Sequence, residues 1–443
     1  MDRIFIVYYL LGFYLNRITS REKLSLVRKA LLRKLEKFLV RNSRYYARAI
    51  PENGGLMHLP IMTKTQHFAN FDTINTVDIT YDKTMETALK AEYSRDFSPM
   101  IEDIAVGLSS GTTGNRGLFL TSRNERCRWV AAMIHRVIGW SWSSRRIAFF
   151  LRANNRLYES SNSSLIHFQF FDLSRPFEQL MVELSGFDPD ILIAQPSVLS
   201  VIADDYLSGK ISIRPQKIIS VAEVLEDDIK MKLEQVFQQK IHQVYQCTEG
   251  FLAFTCREGN LHLNEDLVFF QERFLDESRK RFHPVITDLY RRSQPIVRYE
   301  LNDVLSYAGY ACKCGCPFRV IERIEGRNDD VLVFERQSGG SVFVFGDFIR
   351  RLFLLADKDH GVRNYQVSQI SLHEVEISLD IEDHTEKNHI EQHIESEWKN
   401  FCVANHLKMP FIRFFDKINF DPMIKFRRII RNKFPLPDNI DYL

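Results

Sequence analysis

Between Asp190 and Gly250 three short β-rich runs, DILIA, KIISV and IHQVY, alternate with helical patterns at Ser197 to Leu207 and Glu226 to Phe237. Such β-α-β-α-β alternation closes with right-handed crossovers, so it predicts a parallel sheet with helices on its faces. Ligands of such sheets sit just beyond the carboxyl ends of the strands. The residues that follow the three runs are Gln195-Pro196-Ser197, Ala222-Glu223 and Gln246-Cys247-Thr248-Glu249-Gly250. All are polar or small, and all are expected on one edge of the sheet.

A chain of 443 residues exceeds the size at which a single core keeps growing, so at least two domains are expected. From Asp266 to Leu305 the pattern turns to shorter strands, and IEGRNDDVLVF (Ile324 to Phe334) places a charged turn between apolar runs. The expected division is an N-terminal helical segment at 1–58 packed on a large domain at 59–326, followed by a smaller α+β domain at 327–443. Hydrophobic content of 45% against 26% charge excludes broad disorder. Seven cysteines, three of them in CKCGC, fit metal or thiol chemistry in a reducing, cytoplasmic setting better than a disulfide framework.

The apolar run Ile4 to Leu15 is too short to span a bilayer, and no small-residue cleavage site follows it. Residues 1–50 carry twelve Lys and Arg against three Asp and Glu, a local charge of +9 in a chain of net +2. The near-neutral total and the acidic remainder argue against nucleic acid as a partner. A basic segment beside an apolar run suits contact with anionic lipid. The preferred reading is an amphipathic helical lid, with Thr19 and Glu22 as a capping box before Leu24, Val27, Leu31, Leu35 and Phe38 at helical spacing.

The stretch VGLSSGTTGNRGLFL, Val106 to Leu120, joins two short apolar runs, Ile104 to Leu108 and Leu118 to Thr121. It is not a Walker loop, because the glycine spacing and the lysine are missing. Gly111 and Gly114 would let backbone N–H groups approach phosphates, and Ser109, Ser110, Thr112 and Thr113 add hydroxyl donors. An ordinary Ser/Thr/Gly turn is the competing reading.

SSGTTGNRG, the VAEVL turn at Val221 to Leu225, YQCTEG at Tyr245 to Gly250, IVRYELND at Ile296 to Asp303 and EGRNDD at Glu325 to Asp330 occur in the order seen in adenylate-forming enzymes. From about Leu59 onward the chain resembles their phenylacetate-coenzyme A ligase branch, with its coenzyme-F synthetase-like relatives. The resemblance implies an α/β fold with a large N-terminal domain and a smaller, mobile C-terminal one. It also implies activation of a carboxylic acid by ATP and Mg2+ as an acyl adenylate, release of pyrophosphate, and acyl transfer to the thiol of coenzyme A or to an amine. Charge then has to be stabilised on phosphoryl oxygens.

The same resemblance assigns roles to single positions. Arg116 would replace the lysine of the family's Pro-Lys-Gly. Thr248 and Glu249 would contact the α-phosphate and magnesium, against the bland reading of a helix N-terminus capped by Thr248. Asp303 would accept the ribose hydroxyls, while Ala222, Glu223 and Tyr245 would flank the adenine. Arg327 would face the nucleotide at a hinge completed by Asn328 to Asp330. Lys425 in MIKFRRII would reach the acyl phosphate, although Ile424 replaces the usual glycine and Lys417 and Lys433 compete.

Cys256 and His262 (TCREGNLH) together with Cys312 and Cys314 (CKCG) supply the four ligands a tetrahedral zinc needs, with Cys316 as a substitute. Some members of the resembled branch carry zinc at matching positions; unrelated buried thiols are the alternative. The aromatic stretch Phe149 to Asp172 suits an aryl or arylacetic acid, with core packing by Phe168, Phe170 and their neighbours as the rival explanation. Two other functions compete with a ligase. One is a zinc-stabilised, non-catalytic binding module using the basic N-terminal segment, and the other is a nucleotide-binding relative without turnover.

Overall fold

The computed structural model describes residues 2–94, 99–108, 117–139, 141, 143–151, 166–173, 175–275, 277–327, 332–344, 348–349, 352–353, 356, 361–381, 386–418, 427–432, 434–435, 437 and 440–442. The chain divides into two compact units, the first comprising 1–273, 284–301 and 307–322 and the second 274–283, 302–306 and 323–443.

In the first unit five parallel strands lie in the order Ile166–Asp172, Arg145–Leu151, Ile191–Ala194, Lys217–Ser220, Ile241–Cys247. The last three and the helices Pro196–Leu207 and Asp227–Phe237 form the β-α-β-α-β unit expected from the alternation. The strand Ile191–Ala194 is buried along its whole length, as a sheet covered on both faces requires. Pro196 opens its helix at the first position, where its missing N–H has no intrahelical partner to lose. Beneath the helices Leu180, Leu192, Leu199, Ile202, Ile218 and Leu233 form one core with Phe150 and Phe171. Those two rings stack at 4.5 Å, so part of the aromatic stretch at Phe149 to Asp172 is core. Residues 152–165 of that stretch lie outside the described residues.

After Cys247 the sheet changes direction, because Gly250–Thr255 pairs antiparallel with Ile241–Cys247, and Leu261–Leu263 follows. A separate antiparallel sheet holds Met100–Ile101, Ile104–Leu108 and Leu118–Thr121. As expected, the Ser/Thr/Gly stretch joins strand to strand, and Leu108 lies opposite Leu118. Gly107 is required here, since a Cβ would sit 1.9 Å from the Phe119 ring across the pair.

Three helices, Asp2–Leu15, Arg21–Asn42 and Arg44–Glu52, begin the chain. The cap expected at Thr19 is corrected by one residue. Ser20 is the N-cap and its hydroxyl accepts from the Lys23 amide at 3.2 Å, so the helix starts at Arg21 and Glu22 falls too early to close a box. This helix buries Leu24, Leu35 and Leu39. Its Arg21 and Arg28 reach Glu265, which is fully buried and also binds the Arg319 amide at 2.7 Å and Nε at 3.0 Å.

The second unit is α+β. A four-stranded sheet in the order Phe411–Phe415, Glu374–Ile381, Val362–Ser371, Ile429–Arg431 shares one core with the helix Lys387–Ala404, through Ile390, Ile394 and Trp398. A smaller sheet contains Leu332–Glu335, Ser341–Val344 and Ile440–Tyr442.

Candidate functional site

Three adjacent parallel strands end at Ala194, Ser220 and Cys247, so the turns that follow them share one edge of the sheet. Two of the turns are tied together: the Ser197 hydroxyl donates to Glu223 Oε2 at 2.8 Å. Ala222, in the second of these turns, holds a left-handed φ of 67°. A residue with a Cβ does so only where its surroundings over-determine the backbone. Tyr245 is buried within its strand, opposite Ala253.

The third turn is a two-residue hairpin. Cys247 pairs with Gly250, leaving Thr248 and Glu249 at the tip. A helix N-terminus capped by Thr248 is therefore not what forms; the hydroxyl instead donates to Glu249 Oε2 at 2.8 Å. Burial raises the Glu249 pKa, but hydrogen bonds from Thr248, Cys247 and its own backbone, with the charge of Lys64, outweigh burial and hold it below the usual carboxylate range. Glu249 is thus an ionised, half-buried carboxylate at the sheet's carboxyl edge.

Around it lies a small cleft lined by Thr248, Glu249, His67, Arg291, Gln294 and Tyr299, among others. Arg291 donates from Nη1 to the Thr248 carbonyl at 2.5 Å, while Asp288 Oδ1 accepts the amides of Tyr290 at 2.8 Å and Arg291 at 2.9 Å. Gln294 accepts the Leu120 amide at 3.1 Å, so its amide nitrogen donates to His67 Nε2 at 3.2 Å. That leaves the His67 proton on Nδ1. Burial, and then the charge of Arg291, draw the His67 pKa down to about 4 against the opposing pull of Glu249. Sequence reasoning missed His67, Arg291 and Gln294. The only signal was the capping box of Thr63 and Gln66 that starts the helix Lys64–Ala69 carrying His67.

A second constellation lies elsewhere in the same unit. Ligand atoms of Cys256, His262, Cys312 and Cys314 all fall within 4.8 Å of one another. His262 is fully buried; its Nδ1 donates to the Phe318 carbonyl at 2.9 Å, which leaves Nε2 facing Cys314 Sγ at 3.4 Å. A carbonyl on the far nitrogen is how metal-binding histidines are oriented. Two of the sulfurs accept hydrogen bonds: Asn260 Nδ2 donates to Cys312 Sγ at 3.1 Å and the Cys316 amide to Cys314 Sγ at 3.3 Å, while burial raises the Cys314 pKa. Burial raises the Cys256 thiol pKa, but hydrogen bonds from His262 and the backbone of Asn260 and Glu258 bring it down to about 6. Among the described residues the cluster comprises these four, and Cys316 is not one of them.

Asp303 opens the strand Asp303–Tyr307 in the second unit, and its carbonyl accepts from His283 Nδ1 at 3.1 Å. Arg327 ends the strand Val320–Arg327, and only its backbone is described. Ser109, Ser110, Gly111, Thr112, Thr113, Gly114, Arg116, Asn328 to Asp330, Lys425 and Lys433 lie outside the described residues.

No protein-family model and no curated protein sequence matches the chain. Solved structures do. A 2-hydroxyisobutyryl-CoA ligase in the postadenylation state with R3-HIB-AMP superposes with a TM-score of 0.68 at 14% identity, over 94% of this chain and 91% of that one. An open conformation of 2-hydroxyisobutyryl-CoA ligase with 2-HIB-AMP and CoA gives 0.57 at 15% identity, over 91% of each. The amide bond synthetase McbA from Marinactinospora thermotolerans gives 0.50 at 14% identity, over 73% of this chain and 67% of that one. The likeness is one of fold: this chain has the fold of the adenylate-forming ligases.

Proposed function

We propose that the chain activates a carboxylic acid with ATP as its acyl adenylate, releasing pyrophosphate, and then passes the acyl group to a thiol such as coenzyme A or to an amine. The observation that carries this reading is the ionised Glu249, fixed on a two-residue hairpin at the carboxyl edge of a parallel sheet in a fold shared with ligases whose bound adenylates and CoA are named above. Glu249 with Thr248 would hold Mg2+, a hard cation suited to a carboxylate and phosphate oxygens. When bound, the ion neutralises charge on the phosphoryl oxygens. The chain's own part is to aim hydroxyls and amides at that charge: Thr248 beside the carboxylate, Ser109, Ser110, Thr112 and Thr113 with Gly111 and Gly114 on the outer phosphates, and Arg116 as the basic group.

In this reading Ala222, Glu223 and Tyr245 flank the adenine, Asp303 binds the ribose, and Arg327 belongs to a hinge between a large and a small domain. Lys425 is brought to the acyl phosphate. The aromatic stretch around Phe149 and Phe168, whose rings lie 5.6 Å apart, favours an aryl or arylacetic acid. Cys256, His262, Cys312 and Cys314 would hold a structural zinc, since four protein ligands leave no position open to water.

The test is pyrophosphate release from ATP across a panel of aryl, fatty and amino acids. At least one acid should give pyrophosphate and AMP, and Glu249→Gln should lower the rate by roughly 100-fold or more, the scale of losing a charge-stabilising group. The reading fails if no acid supports release, or if Glu249→Gln turns over like the parent.

A further inference from the structure

The helix Asp2–Leu15 is apolar on two opposite faces, and among the described residues only one of them is covered. Its inner face packs Ile6 and Leu10, with Tyr9 and Phe13, on Cys127, Val130 and Ala131 of the helix Arg123–Met133. Arg128 lies over the Tyr9 ring at 4.2 Å, and Phe13 stacks on His135 at 5.6 Å. At about 100° per residue, Ile4, Val7, Tyr8, Leu11 and Leu15 fall within roughly a 100° arc on the opposite side. All five are exposed, Ile4 by 73% and Leu15 by 80%. Scattered single apolar residues on a surface need no explanation, whereas a continuous stripe does.

The charge of the same N-terminal segment says what covers it. Residues 1–50 carry +9, and every basic side chain among them except the half-buried Arg28 is exposed. Arg3 and Arg17 bracket the helix itself. We propose that the outer face of this helix docks on an anionic lipid bilayer, with the Ile4, Tyr8, Leu11 and Leu15 side chains entering the acyl boundary and the surrounding Lys and Arg meeting lipid phosphates. Fourteen residues rise only about 21 Å, against roughly 30 Å of hydrocarbon, so the helix lies along the interface and does not cross it. Among the described residues no helix is long and apolar enough to cross a membrane. The alternatives fit less well. Nucleic acid would match the charge but leave the stripe wet, and a second copy of the chain would match the stripe but bring two +9 segments together.

The inference is independent of the proposed chemistry and is tested on the full chain by co-sedimentation with vesicles. Vesicles of phosphatidylcholine with about a third phosphatidylglycerol should pull the protein down at low salt, and pure phosphatidylcholine should retain roughly tenfold less. The double variant Tyr8→Glu/Leu11→Glu, both at exposed positions, should lose roughly tenfold or more of the binding. Val182→Glu, equally exposed on the helix Phe177–Phe187, should bind like the parent. Circular dichroism should show all three proteins equally folded. The proposal is overturned if the parent stays in the supernatant with anionic vesicles, or if the double variant binds as well as the parent. It is also overturned if sedimentation velocity finds a dimer that Leu11→Glu dissociates, which would assign the stripe to a second copy.

Discussion

Glu265 is the residue on which the attachment of the second helix depends, and replacing it with glutamine isolates its charge. The carboxylate is fully buried and faces three guanidinium groups. Arg21 is almost half exposed and adds little. Arg28 and Arg319 are different, with side chains only 17% and 27% accessible, and Arg319 also donates its backbone amide to the same carboxylate. Glu265→Gln keeps the shape but strands the largely buried Arg28, leaves Arg319 to Glu272, and turns their shared acceptor into a partial donor. Removing one partner of a buried ion pair costs about 3–5 kcal/mol, and the lower half of that range is expected because Glu272 still holds Arg319. Urea unfolding of the parent, Glu265→Gln, Arg28→Met and the double variant gives the cycle. The two single losses should overlap by roughly 1–2 kcal/mol when combined. The deficit should persist in 0.5 M salt, since buried pairs are screened little. A Glu265→Gln chain within 0.5 kcal/mol of the parent, or one whose deficit vanishes with salt, refutes the reasoning.

Three further outcomes follow from the geometry. His67 is almost wholly buried with its pKa drawn down to about 4. As pH falls below about 6.5 the unfolded chain takes up a proton that the folded chain refuses, so stability declines from pH 6.5 to about 4, by roughly 3 kcal/mol in all; His67→Gln should flatten that slope, and an unchanged slope in urea midpoints at pH 7 and 5 would count against it. Gly107→Ala should destabilise by about 1–3 kcal/mol through the Phe119 ring, and Phe119→Leu in the same chain should recover part of the loss in a thermal melt. Cys312→Ser should lower bound zinc from one per chain to a trace by elemental analysis and lower Tm; a parent purified without metal that chelators leave equally stable would remove the metal reading.

What was legible in the sequence was whatever had a period. The strands ending at Ala194, Ser220 and Cys247 stood out because β-branched runs of four to seven residues alternate with helical patterns, and the crossover rule then brought three turns to one edge. Local competition was harder to read. Thr19 and Ser20 are adjacent and both are good caps, so the start of the helix moved by one residue. A Thr-Glu-Gly sequence serves a helix cap and a tight turn equally well, and only the pairing of Cys247 with Gly250 decided for the turn. Most of the cleft was invisible, because His67, Arg291 and Gln294 come from segments more than two hundred residues apart and none sits in a motif. The three thiols and the imidazole that cluster were picked out by residue type. Cys316, whose amide donates to Cys314 Sγ, stands beside that group of four and is not one of them.

The position of Glu249 has a physical reason that the separate observations do not supply alone. A parallel sheet continues only through long crossovers, so a strand that instead turns back in two residues ends the parallel series and leaves its tip at the edge where ligands bind. A two-residue tip has few contacts of its own, yet a charge-stabilising carboxylate is useful only if its position is set before substrate arrives. Here the tip is held from below: Arg291 grips the Thr248 carbonyl, and Asp288 in turn accepts the Arg291 and Tyr290 amides. Burial raises the Asp288 pKa even against those amides and the Arg291 charge, so this support is weakest when Asp288 takes up a proton. In the proposed reaction Arg291 would then be a positioning residue for Glu249, and Arg291→Met should lower kcat much more than it raises the KM for ATP. Equal changes in both would place Arg291 in binding the nucleotide directly and dismantle this account of the hairpin.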